Sequence, residues 1–261
     1  MTNPDAYIDL KISAPIAEFE IKSSNGINIL HTGLLNSFRN AVEKLKDNGH
    51  IKAAIVRSGS AGGFAAGADM QELRALDCEQ SIVFSSLGQS VFSLIKDIPT
   101  LFIAVVDGYC IGGGFDLALA CDIIVSSQKA YFQHPGTSRG FITGFGGNFR
   151  FSHSAGSRES IRSLILGDRI TSGEADTIGL SIRNSESDPD TKKNLEKELI
   201  GKDALNSALK IAEELSSLNV QQISLIKSTI RSSRRISLSD RICLESRLSF
   251  LYSLHMQKCN Q

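Results

Sequence analysis

The stretch VDGYCIGGGFD, residues 106–116, decides the fold class of this chain. It follows Leu101–Val106, a continuous apolar run that is typical of a buried strand. The glycine-rich turn Gly108–Gly114 then leads into the apolar helical pattern Phe115–Cys121. Small residues in such a turn let a helix pack closely on the strand, or let a ligand approach unpaired N–H groups at the helix start.

A second stretch, FAAGADM at residues 64–70, lies upstream and has a similar organisation. It follows the short buried strand Ala53–Val56 and precedes a short helix that the sequence predicts over Asp69–Leu76. Taken alone, this stretch favours a plain loop in which Asp69 caps the helix. The order strand, glycine turn, helix nevertheless occurs twice, which indicates an α/β fold.

The rest of the sequence predicts further strands and helices. Two strands, Tyr7–Ile12 and Ile16–Ile21, are joined by a turn at Ala14-Pro15. Short apolar runs predict strands over Ile123–Val125 and Ala130–Gln133, and helical spacing predicts helices over Gly33–Asn48, Ser81–Asp97, Ala204–Leu218, Val220–Ser233 and Arg241–His255. A polar stretch, Asn184–Lys202, contains the expected boundary between a mixed core, residues 1–200, and a helical region, residues 201–261.

Composition excludes several classes of protein. Lys+Arg and Asp+Glu both number 28, so the zero net charge gives no support for a nucleic-acid-binding or polybasic membrane surface. The five cysteines form no CxxC pair, which argues against a disulfide framework and favours a reducing compartment. No apolar run is long enough to span a bilayer, and Met1–Ala14 lacks the pattern of a secretory signal. We therefore expect a cytoplasmic protein without nucleic-acid or membrane partners.

Several familiar site motifs are incomplete in this sequence. The dinucleotide-binding pattern GxGxxG fails at Leu117, and no GK[ST] follows to complete a P-loop. No GxSxG nucleophile elbow occurs, and no His/Cys/Asp/Glu spacing is typical of a metal site. What remains at the glycine turns is backbone N–H groups that point into a cleft.

The two glycine-rich stretches together resemble the crotonase (enoyl-CoA hydratase/isomerase) superfamily. FAAGAD before a helix, paired with GYCIGGGFDLALACD at residues 108–122, carries the resemblance. It extends from about residue 7 to about residue 250 and includes Gly140–Gly147 and Leu164–Leu180. The resemblance implies a spiral of ββα turns with a C-terminal helical region that trimerises, and hence a homotrimer or a dimer of trimers.

The resemblance also implies the ligand and how the chain binds it. The substrate would be an acyl-CoA thioester, and no cofactor is expected beyond the CoA of the substrate. By position in the motifs, the backbone N–H groups of Ala68 and Gly113 would hold the thioester oxygen while an enolate forms. Two preorganised donors stabilise that charge where water is excluded. Further contacts with the substrate are expected from Phe64, Ala66, Gly67, Asp69, Met70, Gly112, Gly136 and Thr143, and pocket walls from Asp77–Phe92 and the C-terminal tail.

Proton transfer in the resembled hydratases uses two glutamates, and this chain has neither. Asp116 occupies the first slot, where it would move a proton directly or through a water, or would only cap the helix. Gly136 occupies the second slot, as in the resembled naphthoate synthases, which carry an aspartate near the position of Thr143. His134 is either a second proton-transfer group or a structural histidine on the outer face of its strand. Arg139 would pair with Asp116, contact the ligand or be solvated.

These residues leave three functions open. The leading one is hydration or isomerisation of an enoyl-CoA through a thioester enolate. Because Gly136 replaces the second glutamate, two alternatives remain. One is C–C hydrolysis or decarboxylation within the same superfamily, and the other is a non-catalytic acyl-CoA-binding homologue. The sequence ends at Gln261, where the resembled family carries a further helix rich in Lys and Phe. Weaker binding of CoA, or a different acyl carrier, is therefore also open.

Overall fold

Two β-sheets organise the computed structural model, which describes residues 6–46, 48–60, 62–183 and 204–232. The strands of the larger sheet are β1 Tyr7–Ser13, β2 Ile16–Lys22, β3 Ala53–Ser58, β5 Leu101–Val106, β7 Ile123–Ser126 and β10 Ile182–Arg183. They lie in the order β1-β2-β3-β5-β7-β10, and only the first pair is antiparallel. The predicted strands at both ends of the Ala14-Pro15 turn and at Leu101–Val106 are confirmed.

The smaller sheet consists of short strands, which are β4 Gly63–Ala65, β6 Tyr109–Ile111, β8 Tyr131–Gln133 and β9 Arg169–Thr171. The first three are parallel, and β9 is antiparallel to β8. The sequence assigned Gly108–Gly114 wholly to a turn, which is wrong for the part that forms β6. A three-residue strand is too short to show alternation, and its identity comes from pairing with β8.

Nine helices lie among the described residues. They are α1 Thr32–Glu43, α2 Met70–Ala75, α3 Cys78–Asp97, α4 Gly113–Ala120, α5 Gly147–Ala155, α6 Ser157–Leu166, α7 Ser172–Thr177, α8 Ala204–Glu214 and α9 Val220–Ser232. Short 3-10 turns cover Thr137–Arg139 and Leu215–Ser217. Helix α3 begins earlier than the predicted Ser81 because Asp77 and Gln80 form a capping box.

The order of elements confirms the spiral of ββα turns. Strands β3 and β5 of the larger sheet are each followed by a strand of the smaller sheet, β4 and β6, and then by helix. Strands β7 and β8 repeat the pattern before the 3-10 turn and α5. Because the β4, β6 and β8 strands are parallel neighbours, their ends bring the loops that follow them to one edge of the smaller sheet.

The larger sheet is buried on both faces, as expected for parallel strands. One face, with Val56 and Phe102, packs into a core that includes Phe38 of α1 and Val91 of α3. Alternate residues of the same strands point to the opposite face, where α8 packs through three alanines on one helical stripe. These three residues are Ala204, Ala208 and Ala212.

A buried ion cluster fixes α9 against the end of α3 and the start of β5. Lys227 Nζ donates to the carbonyl oxygens of Ile98, at 2.9 Å, and Thr100, at 2.6 Å. It also pairs with the Asp122 carboxylate at 2.8 Å, which Arg231 contacts at 2.6 Å. Burial lowers the pKa of the Lys227 ammonium, and the nearby Asp122 carboxylate opposes that shift.

Some predictions fall beyond the described part of the chain. The boundary at residue 200, the polar stretch Asn184–Lys202 and the helix predicted over Arg241–His255 lie outside the described residues. Among the helices that are described, none combines the length and apolar character needed to cross a membrane.

Candidate active site

The glycine-rich bends before α2 and α4 face each other. A Cβ placed on Gly67 would lie 3.5 Å from the backbone nitrogen of Gly113, and one placed on Gly112 would lie 3.6 Å from Cα of Gly67. A Cβ on Gly113 would lie 3.4 Å from the backbone nitrogen of Ala68. Gly67 has φ of 100° and Gly112 has φ of 54°, a region that favours glycine. Glycine is thus required both by the backbone angles and by the close approach of the two bends.

The backbone of Ala68 presents its N–H group away from the neighbouring chain segment. Leu30 forms a parallel bridge with Ala68, in which Leu30 N donates to Gly67 O at 2.8 Å and Asp69 N donates to Leu30 O at 3.1 Å. In this pattern the bonds go to the residues that flank Ala68, so its own N–H group points to the opposite side. Within the described residues, this N–H group has no hydrogen-bond partner.

Gly113 is the first residue of α4, and its N–H group therefore has no partner inside the helix. The bond from Gly112 N to Gln133 O, at 2.9 Å, ties this helix start to the end of β8. The positive end of the helix dipole reinforces the two amides, so this corner favours an oxygen that carries negative charge. Phe145 packs its ring against Gly113 from the side of α3, where a Cβ on Gly113 would lie 3.1 Å from two ring carbons.

One turn into α4, the carboxylate of Asp116 is almost completely buried. Its side chain is 1% exposed, and both oxygens have partners. Oδ1 lies 3.2 Å from Nε2 of His134, and Oδ2 accepts a hydrogen bond from the Thr143 hydroxyl at 2.5 Å. Such partners are needed because a buried carboxylate without them is costly. Asp116 is therefore held by side chains from two other segments.

His134 follows β8 and turns its imidazole inward. Its side chain is 9% exposed and contacts Asp116, so the expectation that it lies on the outer face of the strand is wrong. The strand alternation of β8 ends at Gln133, whose side chain donates to the carbonyl oxygen of Gly167 at 2.8 Å. The direction of His134 is set by the turn after the strand, which the sequence pattern does not specify.

Gly136 begins a tight loop beside the imidazole. Phe141 N donates to Gly136 O at 2.8 Å and closes the loop around the 3-10 turn. A Cβ placed on Gly136 would lie 2.8 Å from Phe141 O and 3.7 Å from Nδ1 of His134. A glutamate would clash with the loop backbone here, so the glycine is a structural requirement of this loop. Arg139 is exposed on the loop, and the partners of the Asp116 carboxylate are His134 and Thr143. The predicted alternative in which Arg139 pairs with Asp116 is therefore wrong.

A cavity of about 410 Å³ lies beside His134 and Thr143. His134 and Thr143 line it, together with Phe141, Ile142, Ile161, Leu164 and Ile165. Asp116 is not among the lining residues. The walls come from the loop after β8, α5 and α6, so the expectation that they come from Asp77–Phe92 is wrong for this cavity.

Sequence reasoning missed the contribution of α6 to this cavity, although a signal was present. Ser157, Ser160, Ile161, Leu164 and Ile165 all line it and recur at the spacing of one helical face. Three of these residues are apolar, and Ile161 and Ile165 are largely exposed. An apolar stripe that remains accessible indicates a surface that contacts a ligand or another chain.

The other predicted contact residues differ in what they offer. Phe64 is fully buried in the core, so the predicted contact with the substrate is wrong for its side chain. Asp69 caps α2 by accepting hydrogen bonds from Gln71 N, at 2.7 Å, and Glu72 N, at 3.2 Å. Ala66 and Met70 are half-buried next to the bend. The part of the bend that is open to a ligand is therefore chiefly backbone.

The Cys110 thiol is buried close to Asp116. Burial raises the pKa of the Cys110 thiol well above its usual range, and the Asp116 carboxylate adds to that shift. Cys110 is therefore a neutral, unreactive group behind the site. Among the described residues, no three His, Cys, Asp or Glu side chains are grouped so as to hold a metal ion.

Comparison with known proteins identifies the relatives of this chain. Residues 11–239 match the protein-family model of enoyl-CoA hydratase/isomerase. A crotonyl-CoA hydratase of Syntrophomonas wolfei is 31% identical over 173 residues, which cover 66% of this chain and 66% of that protein. A probable mitochondrial enoyl-CoA hydratase of Dictyostelium discoideum is 28% identical, over 89% of this chain and 78% of that protein.

The fold comparison gives the same result. The crystal structure of an enoyl-CoA hydratase of Geobacillus kaustophilus HTA426 is 26% identical and matches with a TM-score of 0.82, over 94% of this chain and 88% of that chain. The family match covers both glycine-rich bends and the helix that carries Asp116. With this sequence match, this fold and these facing bends, the chain belongs to the enoyl-CoA hydratase/isomerase family.

Proposed function

We propose that this protein is an enzyme that acts on an enoyl-CoA thioester through an enolate, by hydration or by isomerisation of the double bond. The observation that carries the proposal is the position of the Ala68 and Gly113 amides, which converge one helical turn from the buried Asp116–His134 pair. Charge stabilisation and proton transfer are the two requirements of enolate chemistry, and here they lie side by side.

In the proposed complex, the thioester oxygen lies between the two amides and the acyl chain extends into the 410 Å³ cavity. Loss of a proton from the α carbon, or addition of a nucleophile at the β carbon, moves negative charge onto that oxygen. The amides are already oriented, so they gain strength as the charge develops. One such donor typically contributes about 100-fold or more to the rate.

The amide geometry also distinguishes this proposal from a binding protein without activity. Small residues at the two bends, with φ of 100° at Gly67 and 54° at Gly112, let the backbone nitrogens of Ala68 and Gly113 come close together, which supports two donors for one oxygen. Neutral acyl-CoA binding does not need two donors at one oxygen, whereas an enolate does. The buried Asp116 carboxylate, bonded to His134 through one oxygen and to Thr143 through the other, supports an acid–base site here rather than a simple helix cap.

A second candidate is cleavage of a C–C bond in a β-keto or malonyl-type thioester. The observation that favours it is Gly136, whose loop excludes the second glutamate of the resembled hydratases. Such cleavage also produces an enolate and uses the same pair of amides. The two candidates differ in product, because cleavage shortens the acyl chain and hydration or isomerisation keeps its carbon count.

The deciding experiment incubates the purified protein with crotonyl-CoA, a 3-enoyl-CoA, a saturated acyl-CoA and a β-ketoacyl-CoA in D2O. Mass spectrometry then measures deuterium at the α carbon and the length of the acyl chain. We expect deuterium uptake with at least one thioester, and hydrated or isomerised product from an enoyl-CoA. Tight binding of all four without any uptake or cleavage would leave only a binding function.

A further inference from the structure

We propose that the imidazole of His134, acting through Nδ1, is the group that exchanges a proton with the substrate, and that Asp116 is a positioning residue behind it. This assignment rests on the proposed function, because it concerns the acid–base group of the same site. It differs from the two-glutamate arrangement of the resembled hydratases in both the residue type and the segment that supplies it.

The first argument is access. Asp116 is 1% exposed, and both of its oxygens already have partners. The two side chains that bond its carboxylate, His134 and Thr143, both line the cavity. A substrate in the cavity therefore meets the imidazole and the hydroxyl before the carboxylate. A proton that leaves the substrate for Asp116 would have to pass one of them.

The second argument is the tautomer. Nε2 of His134 lies 3.2 Å from Oδ1 of Asp116, and an ionised carboxylate only accepts hydrogen bonds. Nε2 therefore carries the proton in the neutral imidazole, and the lone pair is on Nδ1. Nδ1 has no recorded hydrogen-bond partner among the described residues, and it is not one of their enclosed, unpartnered polar atoms. A basic nitrogen is thus directed away from Asp116 and remains accessible.

The third argument is the position of Nδ1 relative to Gly136. A Cβ on Gly136 would lie 3.7 Å from Nδ1, so the imidazole edge faces the place where the resembled hydratases carry their second glutamate. A side chain at that position would also meet Phe141 O at 2.8 Å, which the loop closed by Phe141 N does not allow. The chain therefore replaces a carboxylate on the loop with an imidazole at the end of β8.

The charges around His134 fit a general base. The carboxylate of Asp116 is its neighbour, and that carboxylate is fixed on its other oxygen by the Thr143 hydroxyl. Arg150 directs Nη1 to the carbonyl oxygen of Phe145 at 2.6 Å, and Arg139 is exposed on the loop. When the imidazole gains a proton, the adjacent carboxylate stabilises the cation and keeps the ring oriented, as the aspartate of a serine-protease triad does.

The proton step balances without another reagent. The Nδ1 lone pair takes the proton from the α carbon, and the electrons of the broken C–H bond form the C=C bond of the enolate. The C=O π electrons move to the oxygen held by the amides of Ala68 and Gly113. The imidazolium exchanges its proton with water, or returns it to carbon when the C=O bond re-forms. Deuterium therefore enters the thioester from D2O.

The test compares deuterium uptake at the α carbon of a saturated acyl-CoA in wild type, His134→Gln, His134→Ala, Asp116→Asn and the exposed-histidine control His50→Ala. Gln places an amide N–H near the position of Nε2 and so keeps the bond to Asp116, but it cannot act as a base. We expect His134→Gln to lower the exchange kcat by about 100-fold or more with little change in acyl-CoA affinity. The His50→Ala control should keep the wild-type rate.

Free imidazole provides a readout that a purely structural role would not change. We expect added imidazole to restore exchange in His134→Ala, and to restore much less in His134→Ala combined with Asp116→Asn, because no carboxylate then orients the added ring. Circular dichroism and acyl-CoA binding by calorimetry confirm that each variant is folded. Where a variant does not fold, the exchange rates of the remaining variants are compared with that of wild type.

The outcomes separate this assignment from the proposed function. No exchange in wild type with any thioester would overturn the proposed function itself. Exchange in wild type that persists in His134→Gln but disappears in Asp116→Asn would overturn only the assignment, and would make Asp116 the proton-transfer group. Loss in both variants, with rescue by imidazole in His134→Ala, supports the assignment.

Discussion

The carboxylate of Asp116 lies directly against the backbone of Gly147, the first residue of α5. A Cβ placed on Gly147 would stand 1.9 Å from Oδ1 and 3.2 Å from the hydroxyl oxygen of Thr143. Both groups belong to the hydrogen-bonded set that holds the candidate active site together. The start of α5 also places the positive end of its helix dipole beside this carboxylate, an arrangement that favours negative charge.

We therefore expect Gly147→Ala to displace the Asp116 carboxylate and to break its contact with His134. Gly147 does not have positive φ, so alanine fits the backbone and only the contact with the carboxylate changes. A displacement on the order of 1 Å at a residue that positions a catalytic group costs about 100-fold in rate. The measurement is deuterium exchange at the α carbon, with thermal unfolding as the check on stability. Exchange at the wild-type rate would mean that the position of Asp116 is not critical.

The convergence of the two amides gives a second prediction. Gly113→Ala would add a methyl group 3.4 Å from Ala68 N and 3.1 Å from the ring of Phe145, which narrows the space between the amides. We expect turnover to fall by about 100-fold, the scale of one lost oxyanion donor. Alanine is otherwise favourable in a helix, so α4 should remain folded.

The matched control for that variant is Gly49→Ala, which has open space around the added methyl group and no positive φ. We expect its turnover to equal that of wild type. Equal turnover in both glycine variants would contradict the role of the Ala68 and Gly113 amides.

The cluster around Lys227 gives a prediction about stability. Lys227→Met leaves the buried Asp122 carboxylate with Arg231 as its remaining cation, and it removes donors from the carbonyl oxygens of Ile98 and Thr100. Breaking a buried ion pair in this way typically costs about 3–5 kcal/mol of the free energy of unfolding. Urea denaturation followed by circular dichroism measures the change.

The exposed Lys96, in the last turn of α3, supplies the control for this measurement. Lys96→Met should change the free energy of unfolding by no more than about 0.5 kcal/mol, as is usual for surface positions. A loss in Lys227→Met no larger than in Lys96→Met would show that the cluster does not hold α9 in place.

Cysteine reactivity should follow burial and pKa. Burial raises the pKa of the Cys110 and Cys121 thiols, so the nucleophilic thiolate is scarce at both positions, whereas Cys78 is exposed. With iodoacetamide at pH 8, peptide mapping should show alkylation at Cys78 while Cys110 and Cys121 react only after denaturant is added. Rapid native labelling of Cys110 would mean that the region behind Asp116 opens to solvent.

The long apolar patterns of this chain predicted its elements well, because their periodicity is local. The strand Leu101–Val106 matches β5, and the capping residue Asp69 stands where the sequence placed it, before α2. Elements fixed by distant partners were harder to predict. Strands β4 and β6 each have only three residues and depend on the smaller sheet for their hydrogen bonds. The trimer implied by the resemblance stays a prediction, which light scattering in solution would test.

The sequence by itself determined the α/β class, the two glycine-rich bends and the presence of Asp116 at the start of α4, because each depends on residues that are neighbours along the chain. The tertiary structure decided which side chains meet. His134, Thr143 and Gly147 reach Asp116 from the end of β8 and the approach to α5, and no local pattern gives the direction of a side chain after a turn. Contacts between distant segments depend on how sheets and helices pack. This packing placed the imidazole of His134 beside Gly136.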